Sequence, residues 1–288
     1  MIDISVFGPT VISGGGGRIA AADLGGAKLR QLLEMLALDL GRPLPKDRIA
    51  ERLWDGRPPA SYIATIESYV CVLRRRLGLV GGRRGPLATT SHGYVLDPEL
   101  VRVDAVQVQE LLRAHDADVP RALDLVSGEL LADEPYAAWA TEARDSFAEL
   151  LADRCTHAAR QANLRGDFEV AVRLAREATR RSYVSEPAVR ELMKGLMGTG
   201  CRVQALGVYE SLRKDMAEDL GLGPEVETQS LYFRILRGSS EERRPQIGGD
   251  EISALLEFLR SALTADLTMI IDRPSMYEVG QLLMARAG

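Results

Sequence analysis

Residues 63–78 read IATIESYVCVLRRRLG. Ile66, Val70, Leu73 and Leu77 recur at intervals of four, three and four, which is one stripe of an α-helix. The stretch closes on Arg74-Arg75-Arg76, Leu77 and Gly78. Two readings of those arginines compete. Cations near a helix C-terminus compensate the helix dipole, and an amphipathic helix ending in cations also suits contact with a polyanion. With Ile66, Val70 and Leu73 in a core, a step of about 100° per residue turns Ala64, Ser68, Cys71 and Arg75 outward. Thr65 and Val72 fall on one shoulder of that face, Glu67 and Arg74 on the other. Small residues let a backbone approach base edges, and arginines reach phosphate or guanine.

The flanking sequence supplies context for that helix. Upstream, Ile2, Ile4 and Val6 alternate, Gly8-Pro9 follows, then Thr10-Val11-Ile12 and the run Gly14 to Gly17. This pattern predicts a small antiparallel sheet with a glycine turn. The glycines are not followed by Gly-Lys-Ser/Thr, so a phosphate loop is rejected. Leu29, Leu32, Leu33, Leu36 and Leu40 predict a helix stopping at Gly41. A second short helix after Pro45 turns Ile49 and Leu53 inward, and WDGRPPA at 54–60 reads as a loop. Downstream of the opening stretch, GRRGP leads into LATTS, a turn at His92-Gly93 and YVL, a hairpin. Sheet, three helices and a terminal hairpin in that order describe a winged helix-turn-helix, whose third helix enters the major groove.

Charge divides the chain in the same way. Its 288 residues carry a net charge of −5, yet residues 42–84 hold ten basic side chains against four acidic ones. Residues 1–102 sum to +4, which leaves −9 for residues 103–288. A basic module joined to an acidic one fits a nucleic-acid-binding head on a protein-contacting body. Cys71, Cys155 and Cys201 lie far apart with no paired spacing, which argues against a disulfide framework or a zinc site. No apolar run is long enough to span a bilayer, and the first residues lack the charge-then-apolar pattern of a signal peptide. A cytoplasmic location is expected, with no membrane partner.

From Asp104 onward the pattern is helical. Gly166-Asp167 and Gly200-Cys201 lie 34 residues apart, as do Ala171 and Ala205. That is the tetratricopeptide period, in which helix pairs stack into a superhelix. Leu174 and Val208 occupy equivalent places. Trp139, Tyr209 and Tyr232 fall on apolar helix faces and read as core. The pairs Asp133-Glu134 and Glu241-Glu242 read as solvated acids, not acid/base dyads. No nucleophile motif, Walker sequence, metal spacing or dinucleotide fingerprint is found, so neither enzyme nor cofactor is expected.

The stretch from Gly41 to Leu96 resembles the OmpR-type winged helix of the Streptomyces antibiotic regulatory protein (SARP) family of transcription activators. The matching residues are LPKDRIAERLWDGRPPA, TIESYVCVLRRRLG and TTSHGYVLD, followed by Val103-Asp104-Ala105. In the body, GELL at 128–131, Ala138-Trp139, RGDFEVAV, GTGCRVQALGVYESLR and DLGLGPEVETQSLYFRIL resemble that family's bacterial transcriptional activator domain. The resemblance implies an α+β winged helix-turn-helix head over residues 1–98 and an all-α tetratricopeptide-like domain over residues 103–237. It implies an activator that binds double-stranded DNA at direct repeats upstream of a promoter and recruits RNA polymerase for a specialised-metabolite pathway. The candidate DNA-contacting residues are Lys46, Ala64, Thr65, Ser68, Cys71, Val72, Arg74, Arg75, Arg76, Thr90 and His92. Trp54, Asp55, Gly56, Arg57, Pro58 and Pro59 form the loop that faces polymerase in this fold.

Two departures stand out. Cys71 and Val72 occupy positions where the family usually places a polar or basic residue, which leaves phosphate anchoring to Arg74–Arg76 and lets Val72 meet a thymine methyl. YVSEP at 183–187 replaces the usual Asp-Pro-containing turn. A repeat-based scaffold or sensor without specific DNA binding is the rival reading, favoured by Cys71 and Val72. Beyond the resemblance, residues 238–249 read as a polar linker. Residues 250–288 read as an extension with an amphipathic helix through Ile252, Leu255, Leu256, Leu259 and Leu263 and a capping box at Ser275–Glu278. About fifty residues do not easily close a core alone, so this extension is expected to dock on its own body or to form a homodimer contact.

Overall fold

The computed structural model describes residues 1–14, 17–78, 85–182 and 184–241. The glycine turn at 15 and 16, the arginines 83 and 84, Tyr183, the linker from residue 242 onward and the C-terminal extension lie outside the described residues. The expectation of a linker beginning at 238 is corrected, because residues 238–241 continue the last described helix.

The N-terminal strands are β1 (Ile2–Ser5), β2 (Val11–Gly14) and β3 (Gly17–Ala20). They pair antiparallel, with Ile4 opposite Ile12 and Ile12 opposite Ile19. The period-2 pattern places Ile4 and Ile12 on one face, and both are buried. A 3-10 turn at Ala21–Leu24 leads through Gly25 and Gly26, both at positive φ, into α1 (Ala27–Leu38). Leu29, Leu32, Leu33 and Leu36 all turn inward on α1. The helix ends at Leu38, and Gly41, at φ +75°, carries the chain away from it.

Pro45 opens α2 (Lys46–Leu53), whose Ile49 and Leu53 are buried against α1 and α3. Helix α3 (Tyr62–Arg76) buries Ile66, Val70 and Leu73. Leu77 caps it and is half-buried instead of continuing the helical stripe. Strands β4 (Leu87–Thr90) and β5 (Gly93–Leu96) form the hairpin, closed between Thr90 and Gly93. Gly93 is required there. It sits at φ +138°, and a Cβ on it would lie 2.0 Å from the Leu44 carbonyl oxygen. That close approach lets Leu44 and Tyr94 exchange backbone hydrogen bonds of 2.8 and 3.1 Å, tying the wing to the turn before α2.

One strand was not expected from the sequence. β6 (Val101–Val103) pairs parallel to β1 and completes a four-stranded sheet of order β3-β2-β1-β6. It runs straight into α4 (Asp104–Ala114), where the two oxygens of the Asp104 carboxylate share the single backbone N–H of Val6 at 2.9 and 3.0 Å. Burial pushes the Asp104 carboxyl above its ordinary range, against the hydrogen bonds from Val6, Phe7 and Ala105.

The helices continue as α5 (Val119–Leu125), α6 (Ala138–Arg165), α7 (Phe168–Arg181), α8 (Glu186–Gly198), α9 (Arg202–Asp219) and α10 (Val226–Glu241). The 34-residue period appears in the turns. Gly166 (φ +84°) and Gly200 (φ +75°) end α6 and follow α8. The next residues, Asp167 and Cys201, donate N–H groups to Ala162 and Leu196, again 34 positions apart. Ala171, Ala205 and Leu174 are buried, and Val208 is half-buried against the same core. Gly195 and Gly198 let α8 approach Val172 and Phe168 of α7. Tyr209 stacks on Tyr232 with ring centroids 4.0 Å apart.

Head and body are not beads joined by a spacer, because the first residues of the body extend the head's sheet. Phe7 bridges Leu130, Gly8 N–H donates to the Glu129 carbonyl, and Leu131 N–H donates to the Val6 carbonyl. Beside this seam Glu134 accepts Arg30 at 2.6 and 2.8 Å and Gln31 at 2.6 Å, and Asp133 accepts the Thr10 N–H at 2.8 Å. The reading of Asp133-Glu134 as solvated acids is therefore corrected. Glu134 is 5% exposed and is neutralised by an arginine more than a hundred residues away in sequence. Inside the same cluster, fully buried Glu34 accepts the Thr10 hydroxyl at 2.6 Å.

Candidate nucleic-acid interface

Helix α3 presents the face that its apolar stripe demands. Ala64, Glu67, Ser68, Cys71, Arg75 and Arg76 are exposed, while Thr65, Val72 and Arg74 are half-buried. Val72 packs against the core, so it stands on the margin of the outward face and not at its centre. The Thr65 hydroxyl donates to the Ser61 carbonyl one turn back. Neighbouring polar groups hold the helix in place. Tyr62 donates its hydroxyl to Asp47 at 2.7 Å, and Lys46 donates to Glu67 at 2.5 Å. The Lys46 ammonium also lies 5.7 Å from the Tyr94 ring centroid. Its hydrogen bond to Glu67 pushes the Lys46 pKa up, so the cation stays charged.

The three arginines are not equivalent. Arg74 donates to the Leu87 carbonyl at 2.9 and 3.1 Å and to the Thr89 hydroxyl at 2.8 Å, fastening α3 to the wing. Arg76 donates to the Asp23 carbonyl at 2.9 Å and lies over Gly25, fastening the helix end to the turn before α1. Both guanidinium groups are engaged within the fold, which revises the expectation that all three anchor phosphate. Arg75 has no partner among the described residues and projects opposite Ile66, Val70 and Leu73. Thr90 is also occupied. Its hydroxyl accepts the His92 N–H and donates to the Gly93 carbonyl, which shapes the wing turn and leaves the His92 side chain exposed.

On the other side of α2, the loop from Asp55 to Pro59 is exposed, and Trp54 alone packs inward. Asp55 (φ +48°) and Gly56 (φ +77°) turn the chain sharply, and Gly56 N–H donates to the Glu51 carbonyl. The network Asp47–Tyr62 and Lys46–Glu67 was missed from the sequence. Its partners sit fifteen and twenty-one positions apart on different helices, and no local periodicity links them.

Residues 24–96 match the family described as "Transcriptional regulatory protein, C terminal", and residues 102–236 match the "Bacterial transcriptional activator domain". The chain belongs to the Streptomyces antibiotic regulatory protein family. Among its curated relatives, regulatory protein AfsR of Streptomyces griseus is 30% identical over 234 residues, covering 77% of this chain and 23% of AfsR. Regulatory protein DnrI of Streptomyces peucetius is 27% identical over 261 residues, covering 82% of this chain and 92% of DnrI. The chain thus spans less than a quarter of AfsR and nearly the whole of DnrI. The solved structure of Mycobacterium tuberculosis EmbR, in complex with a low-affinity phosphopeptide, superposes with a TM-score of 0.64. At 21% identity it covers 93% of this chain and 72% of EmbR, and it supports the shared fold of winged head and helical body. This SARP-family chain therefore carries both family modules, one matched on α1 to β5 and the other from β6 to α10. Among its described residues no helix is long and apolar enough to cross a membrane, and no group of three His, Cys, Asp or Glu is arranged to hold a metal.

Proposed function

We propose that this SARP-family regulator activates transcription by laying α3 in the major groove of double-stranded DNA, with the wing at His92 beside the flanking backbone. The observation that carries the reading is the outward face of α3. Ala64, Ser68 and Cys71 are small and exposed, and Arg75 extends from the same face without an internal partner. Small side chains permit close approach to base edges, and a free guanidinium supplies a phosphate contact. Direct repeats upstream of a promoter are the proposed operator, RNA polymerase the proposed partner, and the cytoplasm the proposed location. The exposed loop Trp54–Pro59 is the proposed polymerase contact, with Arg57 its basic member.

A gel-shift titration across graded salt tests the DNA reading. The regulator retains a preference for one sequence over competitor DNA as salt rises, because base contacts survive screening that weakens phosphate contacts. A scaffold or sensor shows no such preference, and that result overturns the proposal. For the loop, Arg57→Glu leaves operator affinity intact and lowers transcription in a reconstituted assay. Equal loss of both assigns the loop to DNA binding or folding instead.

A further inference from the structure

The seam between head and body is held by charges that do not balance. Glu34 of α1 is fully buried, and the Thr10 hydroxyl donates to its Oε1 at 2.6 Å. From the body, Asp133 accepts the Thr10 N–H, and Glu134 accepts Arg30 and Gln31. Among the described residues Arg30 is the one cation paired with this group, 2.6 Å from Glu134 and 3.8 Å from Glu34. The next guanidinium, Arg144, is engaged by the carbonyls of Leu131, Glu134 and Pro135 and lies 3.7 Å from Glu129. Asp104 is occupied separately, by the N–H groups of Val6, Phe7 and Ala105.

Two oxygens of the cluster have no donor. Glu34 Oε2 and Gln31 Oε1 are both shielded from solvent and without a hydrogen-bond partner among the described residues. Their positions are three apart on α1, which puts the two side chains on one face of the helix. Buried acceptors are normally satisfied. A single proton on Glu34 Oε2 removes both deficits. It turns one orphaned acceptor into a donor, gives Gln31 Oε1 the donor it lacks, and leaves two negative charges in place of three around Arg30. Burial pushes the Glu34 carboxyl in the same direction, up to about 7.

We propose that Glu34 is a proton-operated latch between the head and the activator domain. With the proton on Glu34 Oε2 and donated to Gln31 Oε1, the loop at 128–134 stays closed on the head. When the proton leaves to water, the new carboxylate faces Asp133 and Glu134 with only Arg30 among them, and like charges in a buried setting push the loop away. The bonds that give way are Gly8 N–H to the Glu129 carbonyl, Leu131 N–H to the Val6 carbonyl and Thr10 N–H to Asp133. Strand β6 stays paired with β1, so the two modules slacken without separating. The coupling of head to activator domain thereby follows pH near neutrality.

Hydrogen exchange of the full chain tests the latch, read at the amides of Gly8, Thr10 and Leu131 and corrected for the intrinsic rate at each pH. Their protection should fall about tenfold between pH 6 and pH 8, as expected for a carboxyl that titrates near 7 in place and near 4.5 in water. The amides of Leu44 and Tyr94, which tie the wing to the turn before α2, are the reference and should stay level. Glu34→Gln places a neutral amide at the latch and should keep the seam protected at both pH values. Asp133→Asn keeps an acceptor for Thr10 and removes a charge that opposes ionisation of Glu34, so protection should be lost at a lower pH. Level protection at the seam of the unsubstituted chain overturns the proposal. So does a loss that persists in Glu34→Gln, which would assign the titration to another group, Asp104 first. Seam and wing losing protection together also overturns it, because Glu34 would then be linked to unfolding of the whole head and not to the loop. If Glu34→Gln fails to fold, Asp133→Asn decides, and an unchanged pH midpoint overturns the latch.

Discussion

Glu34→Gln isolates the buried polar cluster that locks head to body. Glu34 is fully buried on α1, and its carboxyl is pushed from the ordinary 4.5 to about 7. Burial is the leading cause, reinforced by the charges of Glu134 and Asp133 and opposed by the Thr10 hydroxyl and Arg30, whose guanidinium is 3.8 Å away. The folded state thus holds a proton on Glu34 over a pH range in which the unfolded chain has released it. Stability from this group is complete below about pH 4.5, declines as pH rises toward 7, and levels off above 7. At about 1.4 kcal/mol per pH unit the span corresponds to roughly 3 kcal/mol. Glutamine is the neutral isostere. It keeps the acceptor for Thr10 and brings donors within one helical turn of the Gln31 Oε1, a buried acceptor without a partner among the described residues. Urea denaturation at pH 5 and pH 8 measures the effect. Glu34→Gln and the unsubstituted chain should be close to equally stable at pH 5, and the substituted chain more stable by about 3 kcal/mol at pH 8. A stability difference that stays constant between the two pH values would refute the reasoning, because the titration of Glu34 would then not be linked to folding.

Three further outcomes test the interface. Arg75→Ala should weaken binding to every DNA sequence and lower the log–log salt slope by about 1, and an unchanged slope would mean that α3 is turned differently on DNA. Gly93→Ala should cost more than about 3 kcal/mol in thermal or urea unfolding, since its Cβ meets the Leu44 carbonyl at 2.0 Å in a left-handed conformation. A loss under 1 kcal/mol would show that the wing shifts freely. A maleimide reagent should modify Cys71 first, because that thiol is exposed whereas Cys155 is buried and its thiol is pushed up to about 12. Operator DNA should protect Cys71 and modification should abolish binding; equal labelling with and without DNA would remove Cys71 from the interface.

The sequence by itself determined the elements of the head and the orientation of α3. Ile66, Val70 and Leu73 fall on one helical stripe, and burying that stripe leaves Ala64, Ser68, Cys71 and Arg75 only one direction to face. It also determined the repeat of the body, since Gly166 and Gly200 mark turns whose backbone geometry admits few other residues. What the tertiary structure decided is which of the outward groups are free. Arg74, Arg75 and Arg76 are identical and consecutive, yet Leu87 and Thr89 claim the first, Asp23 claims the third, and the middle one remains available. Asp133 and Glu134 look like surface acids in the chain, and the fold brings Thr10, Arg30 and Gln31 to them across a hundred residues or more. β6 was hidden for a similar reason: three residues carry too little periodicity to announce a strand, and only β1 alongside them supplies the hydrogen bonds. Periodicity is a property of neighbours along the chain, so it fixes faces. The pairing of charges depends on what lies across a face, and that exists only after the elements have packed.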